Sequence, residues 1–147
     1  MVPEKWVRCS KSLIRCKSYI DKLSGPLLDR FAILSYSHKW QQEKNTIPLK
    51  DIYKEIKAAQ EFALASRQQD KPNSKLTEKE ILELTDDSYK ELYLPYLKTS
   101  YRRQKALLQV ARTLADLDAS ETITDKHIKF AINHTIESFR AIKKIHN

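Results

Sequence analysis

Apolar residues recur at helical spacing along most of this chain, and one short apolar run breaks that rhythm. Ser10 is a candidate N-cap, and Leu13, Ile14, Cys16, Tyr19, Ile20 and Leu23 form a broad apolar face, which predicts a helix over 10–22. Gly25-Pro26 forces a break. Phe31 to Tyr36 then reads as a short buried strand, and 38–46 as a polar linker. A second helix is expected to begin near Pro48, a good first-turn residue, and to run to about Ser66 with Leu49, Ile52, Ile56, Ala59, Phe62 and Ala63 inward. A polar loop follows over 67–74. Thr77 and Glu80 have capping-box spacing and open a short helix through Leu84, and another is expected over 86–93. The longest pattern starts near Thr99 or Ser100, with Leu107, Leu108, Val110, Ala111, Leu114, Ala115 and Leu117 as its stripe and Gln109 outward. Thr124 caps a final helix with Ile128, Ala131, Ile132, Ile136 and Phe139 inward. The plan is mainly α: one helix, one strand, then about five packed helices, with no internal repeat.

Composition narrows the chemistry. Gly25 is the only glycine in 147 residues. A phosphate-binding loop of the G-x-x-x-x-G-K-[ST] type needs two glycines and a dinucleotide-binding turn three, so the chain holds neither. Lys and Arg number 27 against 19 acidic residues, for a net charge of +8. That balance suits an anionic partner, but the basic residues are scattered, as on ordinary solvated helix faces. No apolar run approaches membrane-spanning length, and Met1 to Trp6 lacks the apolar core of a signal peptide, so cytoplasm and no membrane partner are expected. Cys9 and Cys16 read as free thiols; a zinc site would need two further ligands at suitable spacing. His38, His127, His134 and His146 offer no i, i+4 pair, and His127 and His134 read as surface or core. Tyr89, Tyr93, Tyr96 and Tyr101 could stack on single-stranded DNA, but at helical spacing they read better as a core edge. No metal site is expected.

The break at Gly25 sets Asp29 and Arg30 at the lip of the apolar run. An arginine held there can reach a phosphate on a neighbouring molecule; its plainer role is an ion pair with Asp29 or with another carboxylate. Three segments, in order, bear on the choice. The run Ser24-Gly25-Pro26-Leu27-Leu28-Asp29-Arg30 resembles the S-G-P-L-L-D-R end of the ATPase core in Mg-chelatase-like AAA+ proteins. Arg67-Gln68, then Lys71-Pro72-Asn73 and Leu76, is similar to a Q-x-x-x-K-P-N-x-x-L segment of the bacterial competence-associated branch of that family. Leu108-Gln109-Val110-Ala111-Arg112-Thr113-Leu114-Ala115-Asp116-Leu117 resembles the same branch's L-x-V-A-R-T-I-A-D-L. Two positions depart from the pattern: Ala106 stands where a second arginine is usual, and only Cys9 of an early cysteine cluster is in register.

The resemblance implies a helical-bundle C-terminal lid preceded by the last helix and strand of the ATPase core. The division would fall as 1–47 for the end of the core and 48–147 for the lid. Walker A, Walker B and sensor-1 segments would precede residue 1. Arg30 would be the arginine finger, Arg102 the sensor-2 arginine and Arg103 its adjacent alternative. Arg112 reads instead as a structural ion pair with Asp116 at i+4. The implied setting is an oligomeric motor, a hexamer, in which ATP and Mg2+ bind only when the core is supplied. The partners would be that core and the neighbouring subunits, with DNA as the substrate favoured by the A-R-T-x-A-D-L wording over porphyrin metallation. On this view the chain is not catalytic alone. A different class of function is also open: a non-enzymatic basic helical DNA-binding or adaptor protein derived from such a lid.

Overall fold

The computed structural model describes residues 25–35, 47–85 and 99–141, together with Ser18, Lys22, Glu91 and Pro95. These residues are mainly helical. A single turn, α1 (Gly25–Leu28), comes first. Next is α2 (Leu49–Arg67), which starts one residue after Pro48, whose carbonyl accepts from Asp51 N–H at 2.9 Å. A 3-10 turn over Asn73–Lys75 leads to α3 (Glu78–Glu83). The long helix α4 covers Tyr101–Leu117, and α5 covers Asp125–Ile132. The chain then passes through a π turn, Asn133–Glu137, and resumes an α-helix to Ala141.

The caps explain where these helices begin. Thr77 and Glu80 form the expected capping box: Thr77 N–H donates to Glu80 Oε2 at 2.7 Å, and Glu80 N–H to the Thr77 hydroxyl at 3.3 Å. Ser100 caps α4, its hydroxyl accepting from Arg103 N–H. At α5 the Thr124 N–H donates to His127 Nδ1 at 3.0 Å, so a histidine fills the place usually held by Glu or Gln. With so little glycine, two turns place other residues in the left-handed region. Gln68 closes α2 at φ 51° and Ala119 sits beyond α4 at φ 50°.

Helix α4 is the centre of the fold. Leu107, Leu108, Ala111 and Ala115 face a core completed by Leu76, Ile81, Ile123, Ile128, Ala131, Ile132 and Ile136. The alanines let α4 and α5 approach closely, and α2, α3 and the π turn also pack on α4. Thr85 and Ile123 make one isolated parallel bridge that ties the loop after α3 to the loop before α5.

Several expectations need correction. Residues 31–35 are not a strand, and Phe31 and Ile33 are 51% and 53% exposed rather than buried. A strand needs a ladder, and no strand lies among the described residues to supply one. The segment's backbone bonds to side chains and helix ends instead. On α2 only Ala63 is buried; Leu49, Ile52 and Ile56 are exposed because only the last turns of the helix meet the core. On α4, Leu117 is exposed and Leu114 only half-buried. Gln109 is not free, since its amide donates to Ser74 O at 2.9 Å and to Leu76 O at 3.3 Å. Tyr101 is exposed rather than a core-edge residue. The helix expected over 10–22, the linker over 38–46, the helix over 86–93, Cys9 and Cys16, and Tyr89, Tyr93 and Tyr96 lie outside the described residues, apart from the isolated positions named above.

These burials rank the α4 side chains. Leu108→Ala should cost about 2–5 kcal/mol, and Leu114→Ala distinctly less because its site is open on one side. Gln109→Ala should cost about 1 kcal/mol through the lost loop bonds. Chemical denaturation of the three variants checks the order; equal losses at Leu108 and Leu114 would contradict it.

Candidate functional site

The two ends of α4, about 25 Å apart over its 17 residues, gather the polar residues singled out by the sequence. At the C-terminal end, Asp116 is buried at the meeting of the K-P-N loop and the A-R-T-L-A-D-L helix. Its Oδ1 accepts from Arg67 Nη2 at 2.7 Å and from Arg112 Nη2 at 2.9 Å and Nε at 3.2 Å. Its Oδ2 accepts from the Asn73 amide at 2.7 Å. Arg112 is wholly buried, and its remaining donors reach Ser120 O at 2.6 Å and Glu121 O at 2.9 Å. Burial holds its pKa below the ordinary arginine value, with Asp116 opposing and Arg67 adding to the shift. Gln69 joins the group by accepting from Arg67 and donating to Asn73 Oδ1 at 2.8 Å. The i+4 pairing of Arg112 with Asp116 was legible in the sequence; the roles of Arg67 and Asn73 as long-range partners were not.

Two surface pairs flank this group. Lys71 donates to Glu80, and with the Thr77 N–H and hydroxyl this holds the Glu80 carboxyl down at about 2. Lys126 and His127 both engage Asp118, and their hydrogen bonds lower its pKa as well. His127 is buried; its Nδ1 accepts from Thr124, so its proton sits on Nε2 and is donated to Asp118 at 3.0 Å.

The N-terminal end of α4 holds the three residues to which the resemblance gives nucleotide roles. Arg30 lies in the turn two residues after α1, and its N–H donates to Leu27 O at 3.0 Å. Its side chain is exposed and makes no ion pair with any described residue. Asp29 is not its partner: that carboxylate accepts from Ser100 Oγ at 3.1 Å and pairs with Arg103 Nε at 3.3 Å. Arg102 is exposed on the first turn of α4 and likewise unpaired among the described residues. Arg103 is buried. It donates to Phe31 O at 2.8 Å, to Thr135 O at 3.4 Å and to Leu28 O, and its guanidinium carbon lies 3.3 Å from the centroid of Phe139. Burial lowers its pKa, opposed by Asp29. The chain thus brings Arg30 and Arg102 to one end of the bundle with their charges available, and occupies Arg103 internally. The signal for burying Arg103 was present, because it lies four residues before Leu107 on the apolar stripe. No group of three or more His, Cys, Asp or Glu that could hold a metal ion is found among the described residues, and no helix of theirs is long and apolar enough to cross a membrane.

Comparison with known proteins agrees with the segments quoted above. Residues 48–135, more than half of the chain, match the model of the family described as magnesium chelatase, subunit ChlI C-terminal. The uncharacterized protein YifB of Escherichia coli (strain K12) is 33% identical over 138 residues, a match covering 86% of this chain and 26% of YifB. The protein of the same name from Salmonella typhimurium (strain LT2) is 33% identical over 143 residues, again 86% of this chain and 26% of the relative. The chain therefore spans about a quarter of the length of the relatives it matches.

Removing the Asp116 charge should leave two buried guanidinium groups without a counter-ion, so Asp116→Asn is expected to cost about 3–5 kcal/mol in urea unfolding. A loss below about 1 kcal/mol would mean that the group is not the anchor described. The lowered Glu80 carboxyl stabilises the fold fully above its ordinary value near 4.5, and that contribution is lost as pH falls toward 2. Asp118 acts in the same direction. Glu80→Gln should therefore flatten the decline of the thermal midpoint on acidification, while leaving the capping box formable. Parallel acid limbs for the two proteins would refute the Lys71–Glu80 coupling.

Proposed function

Because this chain belongs to the family of magnesium chelatase ChlI C-terminal domains, we propose that it forms the lid and arginine-finger segment of an oligomeric AAA+ ATPase. Residues 48–147 act as the lid, and 1–47 as the end of the ATPase core. The substrate of the intact motor is Mg-ATP, and its work is DNA remodelling, the assignment favoured by the A-R-T-x-A-D-L wording.

One observation carries the reading. Of the five arginines among the described residues that lie in the family-like segments or at the implied sensor position, Arg67, Arg103 and Arg112 are consumed by internal partners. Arg30 and Arg102 are exposed and unpaired among those residues. A cation that meets phosphate must be free to leave water for it, and these two are. Arg30, at the end of the core segment, points to the nucleotide of the adjacent subunit and stabilises charge growing on the γ-phosphate. Arg102, on the lid, contacts the nucleotide of its own subunit and couples lid closure to bound ATP.

The purified chain should bind Mg-ATP more weakly than micromolar by calorimetric titration, since it lacks a phosphate loop. Grafted behind a P-loop ATPase core, Arg30→Ala should lower turnover on the order of 10³-fold. Mixing Arg30→Ala subunits with subunits whose P-loop is inactive should restore part of the activity, because one intact interface can form. The same mixing should not rescue Arg102→Ala, whose defect lies in its own nucleotide site. Unchanged turnover in the Arg30→Ala assembly would remove the finger assignment.

A further inference from the structure

Residues 25–35 have little structure of their own. They contain one helical turn, and their only buried apolar side chain is Leu28, which packs with Phe139 and half-buried Leu34. So small a contact does not hold a chain segment in place by itself. Its position is set by polar contacts, and most of them go to one side chain. Arg103 donates to Leu28 O and Phe31 O and pairs with the Asp29 carboxylate. These three acceptors bracket Arg30 on both sides. The Ser100 hydroxyl, which caps α4, donates to the same carboxylate.

The π turn supplies the other half of the attachment. In an α-helix Ser138 N–H would donate to His134 O; here it reaches back five residues to Asn133 O. His134 O accepts instead from Leu34 N–H at 3.0 Å. Thr135 O accepts from Arg103. The irregular turn thus presents two carbonyls to the docking region, one to the segment itself and one to the side chain that holds it.

We infer that Arg103 is a positioning residue: with Asp29, Ser100 and the π-turn carbonyls, it clasps the segment carrying Arg30 to the helical domain, so that Arg30 moves with the lid. The inference rests on the reading of Arg30 as the finger for its functional meaning, but not for its geometry. A flat, five-donor guanidinium is needed. It serves three acceptors on one segment and a carbonyl on another while stacking on Phe139, and a lysine ammonium has neither the fork nor the plane. A side chain engaged in this way is not open to a phosphate, which leaves Arg102 as the sensor.

Amide hydrogen exchange by NMR on the 147-residue chain tests the clasp. Leu34 N–H should be protected, and Arg103→Lys should speed its exchange roughly tenfold to a hundredfold. The amides of Ala111, Ala115 and Ile128 should keep their rates. Asp29→Asn, which leaves the core untouched, should act in the same direction, and it decides the matter if Arg103→Lys does not fold. Leu34 exchanging as fast as an open chain, or unmoved by both variants, would overturn the inference. So would an equal acceleration at Ala111 and Ile128, which would make Arg103 a general stabiliser. In the assembled ATPase, Arg103→Lys should lower kcat and be rescued in mixed assemblies in the same pattern as Arg30→Ala. The two readings fail separately: the finger on turnover of Arg30→Ala, the clasp on exchange at Leu34.

Discussion

A buried carboxylate, Asp116, decides how the helices of this domain meet. It lies in the last turn of α4, where the helix dipole disfavours a negative charge. The local cost is overcome by two guanidinium groups and an amide that converge on its two oxygens. Arg67 comes from the end of α2, Asn73 from the loop after it, and Arg112 from the preceding turn of α4 itself. Satisfying one charge therefore fixes the approach of α2 and its loop to α4. The positive excess of two arginines on one aspartate is spread over Ser120 O, Glu121 O and the Gln69 side chain. Buried ion pairs are tolerable only when every donor and acceptor is used in this way, and no buried side-chain polar atom among the described residues lacks a partner.

From that anchor α4 extends as a strut to the other end of the bundle. The same physical device recurs there with the roles reversed. A single guanidinium, Arg103, gathers several acceptors from a segment that has almost no apolar contact of its own. Each end of α4 thus carries one internally satisfied polar centre. One joins the elements within the domain, and the other joins the domain to the segment before it.

This division sorts the arginines by chemistry rather than by position in a motif. A guanidinium whose donors are all engaged in the interior is committed to structure, since releasing it would strand buried acceptors. Arg103 and Arg112 are committed in that sense, and Arg67 is held by Asp116 and Gln69. Arg30 and Arg102, next in sequence to Asp29 and Arg103, have the opposite character, and the proposed nucleotide chemistry follows from that contrast.

Much of this was legible in the residues taken one helix at a time. Periodicity located α2, α4 and α5, the Thr77–Glu80 spacing announced the start of α3, and the i+4 spacing of Arg112 and Asp116 announced their pair. These depend on neighbours a few positions apart, so local order is enough to reveal them. The family-like segments likewise lie in the linear order of the chain. Other features depended on what lies across the fold. Periodicity shows that α2 has an apolar face but not that only its last turns meet the core. The apolar run after Arg30 has strand composition, yet it is held by a side chain and a π turn because no ladder partner stands beside it among the described residues. Arg102 and Arg103 are adjacent and chemically identical, and a helix turns about 100° between them. The packing of Phe139 and Asp29 against one of the two positions makes that arginine internal and leaves the other exposed. That distinction exists only once the elements are assembled.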